Sequence, residues 1–288
     1  MPVSRTQLSL AVFGLVSVIG LFALLPPART PSSPQAAAIL TASNPFIYSF
    51  NTSGVLYEAG SPDESWSSYW WLNSGGKLII KDYVGQTIQG DLSVFDIWRL
   101  RYAFANSLDT DGGAHPQNIF RLVTRSEAGD QRLQALFKIE RDNWSNSPNR
   151  NASNGLLLMS KYIDGDTLYY AGLRVDGTAV IKKKYNGIYY TLAQEEVFSG
   201  EYSRDKNVNL IPRRQWIGLR SESVTDTNGN VIIRLFMKPY GETQWTQILE
   251  AVDDGTYGNT PPITAIGHGG IRTDFMDVTF ESFRMEAI

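Results

Sequence analysis

From Pro45 onward, short runs of Val, Ile, Leu, Phe, Tyr and Trp alternate with clusters of Gly, Asn, Asp and Pro. Runs of that length bounded by turn formers predict β-strands, and no stretch holds the apolar repeat of a long amphipathic helix. Strands are expected over 77–83, 95–105, 117–125, 134–141 and 155–162. More are expected over 215–221, 230–238, 245–252, 267–272 and 277–286. The strongest signal lies between these groups, in TLYYAGLRVDGTAVIKKKYNGIYYTL at 167–192. Its three extended runs are joined by Asp176-Gly177 and Asn186-Gly187, pairs that suit tight hairpin turns because Gly and Asn tolerate positive φ. The segment therefore predicts a three-stranded antiparallel meander. With two-residue turns at both sites, Tyr170 stands opposite Lys183, Lys183 stands opposite Tyr190, and Arg174 shares their face. A slip of one residue would turn that set to the other side.

The N-terminus has a different pattern. Leu8 to Leu25 is an uncharged apolar run of 18 residues behind Arg5. It is slightly short of the roughly 20 that span a bilayer as a helix and longer than the roughly 7–15 of a signal-peptide core. Pro26, Pro27, Pro31 and Pro34 follow, then Ala36-Ala37-Ala38, which suits a cleavage site. Residues 1–40 are expected to be a signal peptide or membrane anchor with a Pro-rich linker, and 41–288 a single β-sandwich domain. Either outcome places that domain outside the cytoplasm, secreted or at the cell surface, with the membrane met only through the N-terminal segment.

Composition narrows the picture further. A hydrophobic content of 42% and an aromatic content of 12% in 288 residues indicate a packed core. The absence of cysteine removes disulfides and thiolate metal sites. A net charge of -3 argues against a general nucleic-acid binder. The charge is unevenly spread, however. Between Arg121 and Lys184, eleven Lys or Arg stand against seven Asp or Glu, whereas from Gly241 onward two Arg stand against eight acidic residues. The basic excess coincides with the tyrosine-rich meander.

Three segments resemble the concanavalin A-like lectin/glucanase superfamily. They are YYAGLRVDGTAVIKKKYNG at 169–187, Trp216-Ile217-Gly218-Leu219-Arg220 with its hairpin to Ile232–Phe236, and the closing Gly270–Phe275 and Asp277–Arg284. The likeness lies in strands and turns from about Trp70 to the C-terminus. It implies an all-β, two-sheet antiparallel jelly-roll sandwich, with laminin-G-like and polysaccharide-lyase-like domains among its relatives. It also implies a structural Ca2+ held by an acidic residue of the last strand, here Asp277; no other cofactor is expected.

Three functional classes are compared. Glycoside hydrolysis requires two carboxylates across the scissile bond; the Glu-x-Asp-x-x-Glu string of jelly-roll glucanases is missing, and Glu195-Glu196 would point to opposite faces. β-Elimination of a uronate polymer needs a cation or amide to neutralise the carboxylate and a Tyr or His to take the adjacent proton. Gln117, Arg121 and Arg125 share strand parity and could point into one groove, where Arg121 and Gln117 would neutralise the uronate with Tyr170 or His115 as base. Yet the Gln-x-His string of alginate-lyase-type jelly rolls is absent, and Arg125-Ser126-Glu127 echoes only half of their Arg-x-Glu-x-Arg strand. The third class is binding alone. A groove of Gln117, Arg121, Arg125, Lys161, Tyr170, Arg174, Lys183 and Tyr190, with Trp144 stacking from the 142–154 loop, would hold an acidic polysaccharide. An adhesive or structural surface module with protein partners stays open beside these. Asn51, Asn143 and Asn151 head N-glycosylation triplets.

Overall fold

A computed structural model of the chain describes residues 38–288. The 8–25 apolar run and almost all of the expected leader lie outside the described residues. The body is already engaged at its first described positions: Leu40 N–H donates to Glu127 O at 2.7 Å, and Leu40 is buried.

The strands β1 (Phe46–Tyr48), β2 (Gly54–Tyr57), β3 (Trp70–Ser74), β4 (Lys77–Lys81) and β5 (Val84–Gln86) precede a helix, α1 (Ile97–Ala105). Next come β6 (Ile119–Ala128), β7 (Gln131–Asp142), β8 (Gly155–Asp164), β9 (Thr167–Arg174), β10 (Thr178–Tyr185) and β11 (Ile188–Glu196). The chain closes with β12 (Ile217–Thr225), β13 (Val231–Lys238), β14 (Thr246–Asp253), β15 (Gly267–Asp274) and β16 (Met276–Ala287). One sheet has the order β14-β13-β12-β7-β16-β5-β4-β2, with β1 also on β16; the other runs β11-β10-β9-β8-β15-β6-β3. The consecutive pairs β6/β7 and β15/β16 each cross between sheets, so that β15 adds to β6 in one layer and β16 to β7 in the other. That nested crossing is the jelly roll expected from the sequence.

The expected strand at 95–105 is instead α1. Asp96 caps it by accepting from Trp98 N–H at 2.9 Å, and Trp98 and Tyr102, one turn apart, bury the inner face against Ile88 and Leu92. Four residues from one capped turn to the next outweighed the aromatic content that reads as strand.

The inner faces of the two sheets supply the main core. Trp70, Leu72, Phe120, Leu122, Leu156, Leu158, Ala171 and Ile271 of the seven-stranded sheet meet Leu133, Phe137, Leu219, Ile233, Val278 and Phe280 of the other. Each fully buried side chain of this size contributes about 1.5–3 kcal/mol. A smaller apolar cluster lies on the opposite, outer face of the seven-stranded sheet: Trp71, Val123, Leu157, Met159, Tyr162, Leu168, Tyr170 and Val180.

Register decides which meander residues reach that outer face. Asn186-Gly187 forms the expected two-residue turn, with φ of 47° and 84°, and Lys183 pairs with Tyr190. At the other end Ala179 pairs with Leu173, so the loop takes in Val175, Asp176 and Gly177. Gly177 supplies the positive φ of 85° that such a three-residue turn needs. The extra residue shifts the ladder by one. Tyr170 therefore faces Lys182 and Tyr169 faces Lys183.

Candidate functional site

The one-residue shift sends Lys183 into the sandwich. Its ammonium, 0% exposed, lies 2.8 Å from the Asp253 carboxylate and donates to Thr260 O at 2.9 Å. Tyr169 donates its hydroxyl to the same carboxylate at 2.5 Å and accepts from Ile263 N–H. Burial and Asp253 together hold the Tyr169 phenol far above its ordinary range. Tyr190 also turns inward and packs on the main core, its ring against Gly258. Lys161 is likewise corrected. It sits at a β8 irregularity with φ of 46°, fully buried, and pairs with Asp130 at 3.2 Å. None of the three can line a surface groove.

The outer face carries the alternate residues. Lys182 and Lys184 of β10, Tyr170 and Arg174 of β9, Tyr189 of β11, Arg272 and Asp274 of β15, and Arg121 of β6 share it by strand parity. Arg272 organises the group. One guanidinium nitrogen donates to the Tyr170 hydroxyl at 3.1 Å and to the Tyr189 hydroxyl at 3.0 Å, while Nε donates to Asp274 at 2.9 Å. The Tyr170 and Tyr189 rings stack with centroids 6.1 Å apart, and the Lys184 ammonium lies 5.1 Å over the Tyr189 ring.

Arg121 pairs across the ladder directly with Arg272. Among the described residues Arg121 and Lys182 have no hydrogen-bond or ion-pair partner, and the Arg121 Nε is buried without an acceptor. Burial, then repulsion from Arg174 and Arg272, pulls the Lys182 ammonium below its ordinary pKa. Tyr170, almost wholly buried, is pushed up by burial. Tyr189 is 46% exposed; burial raises its phenol, but Arg272, Lys184 and Arg121 outweigh this and leave it lowered. The face thus gathers five cations against one carboxylate of its own, Asp274, with flanking Asp166 and Asp176 bound to Lys184 and Arg174. An arrangement of this kind can neutralise a carboxylate or sulfate and place a phenol beside it.

Of the residues expected in the groove, Arg121, Tyr170 and Arg174 come together here. Arg125 shares the face but lies at the β3 end, buried beside Asp63 at 3.4 Å. Gln117 is not on a strand: it sits buried in a short 3-10 turn and donates to Gly90 O and Asp277. His115 lies between Asp111 and Asp91, at 2.9 and 2.8 Å, and lines a separate cleft with Trp144. His115 therefore lies away from the face that holds Arg121 and Tyr170 and is not placed as its base. Lys182 and Lys184 face outward, as the alternative register of the meander has them; Tyr189 and Arg272 were not among the expected groove residues. Their signal was the alternation of the same meander, read one residue out of step, and the Arg272-Thr273-Asp274 pair on β15.

Calcium does not fit Asp277. Its buried carboxylate accepts from Gly90 N–H at 2.7 Å, Asn143 Nδ2 at 2.9 Å and Gln117 Nε2 at 3.0 Å, with Arg141 Nε at 3.2 Å. Four donors leave no lone pair turned to an oxygen-ligated cation. Among the described residues no group of three or more acidic or histidine side chains is placed to hold a metal. The same network buries Asn143, which removes it as a glycan acceptor, whereas Asn51 and Asn151 are exposed.

No protein-family model matches the chain, and no curated protein matches it. Among solved structures it is similar to carbohydrate-binding module CBM66 from Bacillus subtilis, at 11% identity and a TM-score of 0.47, over 75% of this chain and 94% of that one. It is similar to a β-1,3-1,4-glucanase from a mouse hindgut metagenome, at 8% identity and a TM-score of 0.44, over 85% and 99% of the two chains. The β-glucanase of Bacillus licheniformis gives 8% identity and a TM-score of 0.41, over 84% and 97%. The chain is a two-sheet antiparallel jelly-roll sandwich, the fold expected from its sequence.

Proposed function

We propose that the outer face of the seven-stranded sheet binds an acidic polysaccharide. The observation that carries this reading is the facing pair Arg121 and Arg272 with Lys182 nearby, two of the three having no hydrogen-bond or ion-pair partner among the described residues. Unpaired cations packed side by side repel one another, and a polyanion laid across them relieves that repulsion. The exposed Tyr189 ring, backed by the buried Tyr170 ring, supplies an apolar edge for a sugar ring. The apolar 8–25 run supports an extracellular or cell-surface setting, where such polymers occur. Titration with polyglucuronate, alginate and pectate, with neutral cellulose oligomers as control, tests the reading. Tight binding of the acidic polymers alone supports it, and equal or absent binding of both kinds defeats it.

A second reading, cleavage by β-elimination, is favoured by one feature: Tyr189 is exposed, lowered in pKa and bonded to Arg272. In that reading the Tyr189 phenolate takes the C5 proton of a uronate whose carboxylate rests on Arg121 and Arg272. The C4=C5 double bond then forms, the C4–O bond breaks, and the leaving oxygen takes a proton from water. Growth of ultraviolet absorbance from unsaturated ends during incubation reports this step. Silence in both assays favours an adhesive module.

A further inference from the structure

We propose that the cleft beside Trp144 is a second glycan subsite, separate from the sheet face, that takes a sugar ring bearing a carboxylate. The cleft, about 690 Å³, is walled by Asp91 and His115, by the end of β7 with Trp144, and by the 206–214 loop. Its volume is in the range of roughly 300–1,000 Å³ found for small-molecule sites.

Trp144 is 56% exposed, although its neighbours Asn143 and Ser145 are buried. Asn143 N–H donates to Phe275 O at 2.8 Å, its side chain donates to Asp277, and Ser145 Oγ donates to Asp111 at 2.7 Å. The backbone under the indole is therefore fixed on both sides. The Arg150 guanidinium, 5.1 Å from the ring centroid, covers one face. The indole N–H has no acceptor among the described residues. A rigidly held indole with a free N–H is suited to stacking on a sugar ring while donating to one of its hydroxyls.

The charges of the cleft point to the sign of the ligand. Every carboxylate in its wall is already bound within the protein. Asp91 meets His115 and Arg141, Glu140 meets Lys138 and the Thr279 hydroxyl, and Asp142 meets Arg213 and Asn209. Lys206 and Arg214 are the cations without such partners among the described residues. Arg214 holds a φ of 57°, its N–H donating to Ile139 O at 2.9 Å. That left-handed backbone is uncommon for a long side chain. A wall with acids satisfied, two cations unsatisfied and an exposed indole accepts an anionic ring in preference to a cationic or purely apolar ligand.

Calorimetric titration of the purified full-length protein, kept in mild detergent, with tri-glucuronate tests the proposal against variants W144A, R214A and R121M. The expected result is two binding events in the wild type. W144A and R214A each weaken one of them at least tenfold and leave intact the event that R121M removes. A single event abolished by W144A alone also supports this subsite while defeating the sheet-face reading. Isotherms of W144A and R214A that overlay the wild type, a single event lost only in R121M, or no binding at all would overturn the subsite. Circular dichroism of each variant confirms that a lost event is not lost folding.

Discussion

Arg121 and Arg272 face each other on adjacent antiparallel strands, and among the described residues only Arg272 has an ion-paired carboxylate, Asp274. Like charges placed directly opposite destabilise a sheet, and the buried Arg121 Nε adds a donor without an acceptor among the described residues. Replacement of Arg121 by Met, which keeps the apolar stem, should leave the melting temperature unchanged or slightly higher. A substantial loss of stability in R121M would mean that the guanidinium serves the fold rather than a ligand.

Lys183 is predicted to behave in the opposite way. Removing its ammonium leaves Asp253 ionised inside the sandwich with Tyr169 as its remaining side-chain donor. Breaking a fully buried pair from one side costs about 3–5 kcal/mol. Urea unfolding of K183M should show a loss of that order, with acidic-glycan affinity per folded molecule preserved. An unchanged midpoint would contradict the inward placement.

Tyr189 should titrate below the ordinary phenol value of about 10, because Arg272, Lys184 and Arg121 outweigh the effect of burial. A depressed acid in the folded state sheds its proton earlier than in the unfolded chain. Its stabilising contribution is complete above about pH 10 and is lost as pH falls through the lowered folded value. The difference in phenolate absorbance between wild type and Y189F isolates this transition. R272M should move it upward, and a wild-type transition at or above 10 would refute the assignment.

Asp277 is predicted to be a structural acceptor rather than a cation ligand. Chelator or added calcium should shift the melting temperature by less than about 1 °C, since only a ligand of the native state raises it. D277A should instead destabilise strongly, by freeing Gln117, Asn143 and Gly90 from their common acceptor. A clear rise in melting temperature with calcium would reinstate the metal.

Much of this architecture was legible in the residues. Alternating apolar runs between turn formers gave the sandwich, and Asn186-Gly187 gave the β10–β11 register correctly. The candidate site was legible only in type. Asp-Gly is compatible with both a two-residue and a three-residue turn, and inclusion of Val175 in the loop exchanged Lys183 for Lys182 on the outer face. Backbone irregularity hid Lys161 in the same manner, because a single left-handed residue turns a side chain inward without altering composition. Gln117 was misplaced because β6 begins at Ile119, after a short turn that Pro116 opens. Arg272 reaches the meander by adding β15 between β6 and β8, a long-range pairing with no local signature.

The most direct test of the central claim is the salt dependence of polyglucuronate affinity in wild type, R121M and K182M. Three clustered cations predict affinity that falls steeply as salt rises, with each single variant at least tenfold weaker and flatter in its salt response. Wild-type and variant curves that coincide at every salt concentration would contradict the claim that this sheet face holds a polyanion.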